Sequence, residues 1–361
     1  MYVQNIEVKN FRNYEAGAAE FCPGLNVMQG QNAQGKTNLL EAVYLCCIGK
    51  SPRVTRDRDL IRWGNEHAKI TLNVMKREGC VKIEIYFSER ENKRVLINGL
   101  PIMRLGELMG ALNCVFFSPD ELKIVKESPS DRRRFMDIDI SQMSKTYFYL
   151  LGRYNKILTQ RNKLLKTGSE SVMRETLPVW DAQLADTGAK IVVSRKRFIE
   201  RLKPFVSQEH KNLTEGKEDL EIEYEGLAGE SVPDVCENFI KELKAAQRKD
   251  VKNGFTSVGP HKDDFSLKSG GVDLRVFGSQ GQQRTAALAL KLAELEIFAG
   301  EIGEYPVLLL DDVLSELDLS RQAQLIKRTE RVQTVLTCTH LSADFNAAEM
   351  KVFNIKEGMI T

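Results

Sequence analysis

The chain has 361 residues, 42% of them hydrophobic, with a formal net charge of +2. That length supports a full core and more than one compact lobe, and the near-balanced charge excludes a global polycation, so any nucleic-acid surface must be a local patch. The seven cysteines are scattered, odd in number and without a C-x-x-C pair, as expected of reduced thiols in the cytoplasm, and neither a signal pattern nor an apolar run of roughly eighteen residues suggests secretion or a membrane span.

Apolar positions at Val3, Ile6, Val8 and Phe11, and the run Leu25 to Met28, predict two strands feeding Gly30-Gln-Asn-Ala-Gln-Gly35-Lys36-Thr37. This is a G-x-x-x-x-G-K-[ST] stretch that opens a helix with Leu39, Leu40, Val43 and Leu45, the setting of a phosphate-binding loop. Gly30, Gln31, Asn32, Ala33, Gln34, Gly35, Lys36, Thr37 and Asn38 are therefore candidate nucleotide contacts. The glycines let successive N–H groups converge on one anion at the positive end of the helix. Lys36 is placed for the β- and γ-phosphates and Thr37 for Mg²⁺.

A charged connector follows from Lys50 to Arg62, open between a solvated loop and a functional edge. Alternation at Ile70, Leu72, Val74 and at Val81, Ile83, Ile85, Phe87, with Lys76 to Gly79 as the turn, predicts an antiparallel meander. Its third strand, Val95 to Ile97, ends at Asn98-Gly99, a pair suited to a tight hairpin. After a short strand at Val115 to Phe117, Ser118-Pro119-Asp120-Glu121 reads as a capping box that starts a helix.

From Asp120 to about Gly254 the pattern is mainly helical. Trp180, Leu184, Ile191, Phe198 and Leu202 share one face up to Pro204, and Val235, Phe239, Ile240, Leu243 and Ala246 share another. Between them, Leu220, Ile222 and Tyr224 alternate as an edge strand. We read residues 119–253 as an arm inserted between two parts of one α/β core, 1–118 and 254–361. Ile140 to Ser169 holds Lys145, Arg153, Lys156, Arg161, Lys163 and Lys166 without an acid, interleaved with Tyr147, Phe148, Tyr149 and Tyr154, just after Arg132-Arg133-Arg134. Two readings stay open: phosphate contacts, or a solvated helix whose aromatics are core.

The C-terminal third returns to nucleotide chemistry. Pro306-Val-Leu-Leu-Leu310-Asp311-Asp312 has the form of a buried parallel strand with acids at its carboxyl end. Asp311 is placed for the Mg²⁺ shell and Asp312 to orient or deprotonate a water. Thr334 to Thr339 is another strand, ending at His340, a candidate γ-phosphate sensor. Between arm and acidic strand, Ser279, Gln280 and Gly281 open a helix as a second, Ser-capped anion cradle.

This set, in this order, resembles the ABC-type ATPase heads of the SMC superfamily: phosphate loop, Ser-x-Gly signature, acidic strand, Ser315-Glu-Leu-Asp318 loop and switch histidine. More narrowly it is similar to the bacterial RecF family, on the phosphate-loop stretch to Ala42, Phe117-Ser-Pro-Asp-Glu-Leu122, Pro129-Ser-Asp-Arg-Arg-Arg-Phe135, Gly259-Pro-His-Lys-Asp-Asp264, Ser279-Gln-Gly-Gln-Gln-Arg284 and Leu310 to Asp318. The resemblance implies an ABC-type head of mixed sheet, meander and phosphate-loop core with an inserted helical arm. It implies ATP and Mg²⁺ as cofactors, and Lys36, Asp312, Ser279 and His340 as catalytic residues, with Ser279, Gln280 and Gly281 acting on the partner protomer's nucleotide. It further implies an ATP-dependent homodimer on single- and double-stranded DNA at gaps and junctions, and a weak DNA-dependent ATPase used as a release switch. The implied partners are RecR, with RecO and RecA, and the implied roles are recombinational repair, replication and the SOS response, with no membrane. Asp312 stands where general ABC heads carry Glu, and the shorter side chain agrees with slow hydrolysis. Arg12 is open between adenine stacking, by analogy, and a surface role. A transport-driving ABC subunit is disfavoured by the basic arm, and a small-molecule kinase by the Ser279-Gln-Gly281 signature.

Overall fold

A computed structural model of the chain describes residues 1–340 and 349–361. These fall into two compact units: Met1–Leu122 with Asn212–Glu215 and Ala287–Thr361, and Lys123–Lys211 with Gly216–Ala286.

In chain order the first unit begins with β1 (Tyr2–Phe11), β2 (Tyr14–Glu20), β3 (Leu25–Gln29), α1 (Lys36–Ile48), β4 (His67–Lys76), β5 (Gly79–Ser88), β6 (Arg94–Ile97), β7 (Leu100–Pro101) and β8 (Cys114–Phe117). The second holds α2 (Lys123–Lys126), α3 (Pro129–Met143), α4 (Lys145–Thr167), α5 (Glu170–Leu213), β9 (Glu221–Glu225), α6 (Val232–Asn253), β10 (Asp264–Ser269), β11 (Val272–Asp273) and α7 (Leu274–Phe277). Then come α8 (Gln280–Ile302), β12 (Val307–Asp311), α9 (Leu319–Thr329), β13 (Thr334–Cys338), β14 (Met350–Lys356) and β15 (Met359–Ile360).

Two six-stranded sheets form the first unit, in the orders β2-β1-β4-β5-β6-β7 and β15-β14-β3-β13-β12-β8. The meander pairs as its alternation requires, with Leu72 opposite Ile83 and Ile70 opposite Ile85, all four fully buried. Asn98 and Gly99 both take positive φ, 52° and 79°, the geometry of a two-residue hairpin whose twist matches its strands. The second sheet carries the apolar run: every residue of β12 is buried, each Leu contributing about 1.5–3 kcal/mol relative to exposure. β12 lies parallel to β13, and β13 parallel to β3.

Both expected strands are present, with a further strand, β2, between them, and β1 pairs antiparallel with β2 and β4. The chain reverses at Phe11–Tyr14 through Arg12, at φ 54°, into β2, whose Ala and Gly content hides it from an apolar pattern.

In the second unit, helices flank a three-stranded sheet ordered β11-β10-β9, with β9 at its edge as the alternation predicts. Ile222 of β9 stands opposite Leu267 of β10, so the stretch after Gly254 stays with this unit through Ala286. Two further differences concern helix ends. α5 runs past Pro204 to Leu213, because burial of Val206 and Leu213 beyond it offsets a cost of about 3 kcal/mol for an interior proline. Ser118 precedes only a 3₁₀ turn, Pro119–Leu122, and the long helix starts at Pro129 with Ser128 as N-cap.

Candidate functional site

The parallel order β3-β13-β12 brings three carboxyl ends together, with Cys338 opposite Gln29 and Asp311 opposite Thr337. The phosphate loop, the acidic pair and His340 therefore sit at one edge of one sheet, where α/β sites form. At Gly30 the loop passes so near β14 that a Cβ would stand 2.3 Å from the Ile355 carbonyl oxygen. Gly35 is the N-cap of α1 at φ 117°, and a Cβ there would meet the Asn13 amide at 2.7 Å. Gln31, Asn32 and Ala33 are exposed.

Lys36, 7% exposed, folds back over the loop and donates to the carbonyls of Gly30 at 2.5 Å and Gln31 at 2.9 Å. That uses two of the three ammonium donors. Thr37 Oγ1 and Thr337 Oγ1 each donate to Asp311 Oδ1 at 2.8 Å. The Asp312 N–H in turn donates to Thr337 Oγ1 at 2.9 Å, so Thr337 ties both acids to β13. Burial pushes the Asp311 carboxyl above its ordinary range, with the two threonine hydroxyls acting in the opposite direction. A raised carboxyl beside a threonine hydroxyl is a hard-oxygen donor pair that a divalent cation would discharge, and it fits Mg²⁺. Among the described residues no cluster of three or more His, Cys, Asp or Glu could hold a metal. Asp312 is half-buried in the left-handed region at φ 51°, and its carbonyl accepts from Ser315 Oγ at 2.7 Å. His340 is exposed just beyond β13.

Several supports were not legible in sequence. Tyr14 donates its hydroxyl to the Gly35 carbonyl at 3.0 Å, and Asn13 donates to the Gln34 carbonyl at 2.8 Å. The Gln34 side chain accepts from the Glu357 N–H at 2.7 Å and the Asn38 amide donates to Asn13 at 2.8 Å, so both side chains brace the loop. Arg12 is committed to Glu41 through two bonds of 2.8 and 2.7 Å. Ser51 Oγ also donates to that carboxylate, at 2.5 Å. The one usable signal was an acid on an otherwise apolar helix.

The second cradle belongs to the second unit. Ser279 Oγ accepts from Gln282 N at 3.2 Å and Gln282 Oε1 accepts from Ser279 N at 3.0 Å, a reciprocal capping box. Ser279 and Gln280 are exposed. A Cβ at Gly281 would meet nothing nearer than 3.9 Å, so packing within the chain does not require glycine there.

The basic run of α4 divides into two populations. Lys145, Arg153, Lys156, Lys163 and Lys166 are exposed, and the 4-3-4-3 spacing of Tyr149, Arg153, Lys156, Gln160 and Lys163 makes a stripe. Arg161 is a correction: it is fully buried, bonded to Asp181 at 2.7 Å, Asp250 at 2.9 Å and Thr256 at 2.8 Å. Arg132 is likewise buried against Asp264, at 2.6 and 2.8 Å. Neither can reach a phosphate without breaking those pairs. Tyr147 and Tyr154 are core residues. All seven cysteines are free, and no helix of the described residues is long and apolar enough to cross a membrane.

Residues 2–361 match the RecF/RecN/SMC N terminal domain family. The chain is 45% identical over its whole length, and over 100% of the relative, to the DNA replication and repair protein RecF of Alkaliphilus oremlandii. It is 42% identical, over 100% of this chain and 99% of the relative, to that of Clostridium perfringens. A solved structure of the recombination mediator protein RecF with ATP in the RecFOR pathway superposes with a TM-score of 0.92 at 39% identity, covering 100% of this chain and 97% of that one. An SMC head bound to the C-winged helix domain of ScpA aligns at a TM-score of 0.60 and 18% identity, over 100% and 96%, a likeness of fold alone.

Proposed function

The chain belongs to the RecF/RecN/SMC N-terminal domain family and stands within it among the RecF proteins, and from that membership we propose how its residues work. It is a DNA replication and repair protein with an ATP-binding head of the ABC type. It binds ATP with Mg²⁺, dimerises around the nucleotide on gapped or junction DNA, and releases DNA after slow hydrolysis. With RecO and RecR it promotes loading of RecA.

The observation that carries this reading is the bonding of Thr37 and Thr337 to one oxygen of Asp311 at the edge where the phosphate loop opens. Thr37 and Asp311 would hold Mg²⁺, which when bound neutralises charge shared by the β- and γ-phosphates. Lys36 exchanges its loop carbonyls for phosphate oxygens. Asp312 accepts a proton from the attacking water, and its short side chain keeps turnover slow. Ser279, with the N–H groups of Gln280 and Gly281, caps the partner protomer's γ-phosphate, a role supported by the open approach at Gly281. His340 follows the γ-phosphate from the end of β13.

Mixing two variants tests the trans arrangement. Lys36→Ala loses ATP binding and Ser279→Arg keeps it, and neither dimerises alone. Together they restore one composite site with both native elements, so sizing with ATP shows partial recovery of dimer. Loss of ATP binding by the Ser279→Arg monomer would sink the assignment.

A further inference from the structure

The connector before β4 ends in the most exposed large apolar side chain described in the molecule: Trp63 is 98% exposed. It is not on a loose loop. Leu60 and Ile61 are buried just before it, the Arg12 N–H donates to the Leu60 carbonyl at 2.8 Å, and the Arg62 N–H donates to the Asn10 carbonyl at 2.7 Å. Asn65 N–H closes the turn on the Arg62 carbonyl at 3.0 Å, with Gly64 between them at φ 81°. A pinned turn thus presents an indole to water on a backbone that is already ordered, so the loop adds little ordering cost to binding.

The surroundings define what could cover it. Residues 50–64 carry Lys50, Arg53, Arg56, Arg58 and Arg62 against Asp57 and Asp59. The pairs Arg58–Asp59 at 3.8 Å and Arg62–Glu15 at 3.3 Å are exposed and cheap to exchange. Asn10, which anchors Arg62, also lines an open cavity of about 420 Å³ with Lys9, Arg94 and Glu91, and with Lys69, which is paired to Glu84 at 2.8 Å. An occupant must offer negative charge and a flat π face together. Duplex DNA keeps its base faces stacked inside, whereas a single strand exposes them, and aromatic stacking beside cations is how such strands are held.

We propose that Trp63 is a stacking platform for an unpaired base of single-stranded DNA, with the flanking arginines on its phosphates. The proposal deepens the DNA-binding reading above and rests on it, naming the strand that this edge takes.

Trp180 is the second of only two tryptophans, so Trp180→Phe leaves Trp63 as the sole indole reporter. Titration with an oligo-dT strand should quench its fluorescence saturably, and a blunt duplex with the same number of phosphates should not. In the native background, Trp63→Ala should weaken oligo-dT binding roughly 5- to 150-fold with an unchanged salt slope, and Trp63→Phe should retain most of the affinity. Equal oligo-dT affinity for Trp63→Ala, or equal quenching by the blunt duplex, overturns the proposal. If duplex is retained with ATP while oligo-dT ignores Trp63, this inference alone fails. If neither DNA is bound, the DNA-binding reading fails with it.

Discussion

Replacing Arg161 with Gln separates the two kinds of cation on α4. The Arg161 guanidinium is fully buried and bonded to Asp181 and Asp250, whose side chains are 12% and 0% exposed. Asp250 is also fixed by Ser257, at 3.0 Å from its N–H and 2.6 Å from its Oγ, so it cannot turn to solvent. Removing one partner of a buried pair costs about 3–5 kcal/mol, chiefly because the remaining charge is uncompensated. With a urea dependence of about 2 kcal/mol per molar, the midpoint of the second unit should fall by roughly 1.5–2.5 M. Trp180, next to Asp181, reports that transition, while Trp63, 98% exposed, supplies a nearly constant background. The sign with pH is also set. Burial raises the Asp181 carboxyl and Arg161 lowers it, so without Arg161 the acid protonates more readily and the deficit shrinks as pH falls. Asp250→Asn in the same chain should recover part of the loss. An unshifted midpoint, accompanied by weaker DNA binding, would refute the buried-pair account and return Arg161 to the phosphate-contacting set.

Lys156 and Lys163, exposed on that same helix, should behave oppositely: changing both to Gln leaves the urea midpoint in place and lowers the salt slope of duplex binding by about 1–2, read by filter retention across salt concentrations. Thr337→Val removes the donor to Asp311 and the acceptor for Asp312 N–H. It should cost about 1–3 kcal/mol in thermal unfolding, with ATP turnover falling more than ATP affinity. His261 takes the Tyr154 hydroxyl at Nδ1, 2.7 Å away, and donates from Nε2 to the Thr256 carbonyl at 3.0 Å; burial holds its pKa down to about 4. A depressed imidazole gives stability that is present above the unfolded value and lost as pH falls through 6.5 towards 4. Between pH 7 and 5 the native protein should therefore lose about 1–2 kcal/mol more than His261→Gln, measured by urea unfolding at each pH.

What the linear chain determined about this protein is chemistry with short-range causes. Gly30 to Thr37 is legible because a phosphate loop needs its glycines, lysine and hydroxyl at fixed offsets along one strand-to-helix turn. The Asn98-Gly99 hairpin and the Ser279 cap follow equally local rules, and the apolar run before Asp311 declares a buried strand by composition alone. What only the tertiary structure decided is pairing. Thr337 looks like any strand residue until parallel register sets it opposite Asp311, and Glu41 gains its role only when Arg12 arrives from the β1–β2 turn. β1 has the pattern of a strand, but a period-two pattern does not say which sheet it joins. The basic run shows the same limit most plainly. Arg161 and Lys163 are indistinguishable as letters, yet one lies on the inner face of α4 against two carboxylates and the other in water. Burial and charge compensation depend on residues twenty and eighty-nine positions away, a distance along the chain over which composition and spacing carry no information.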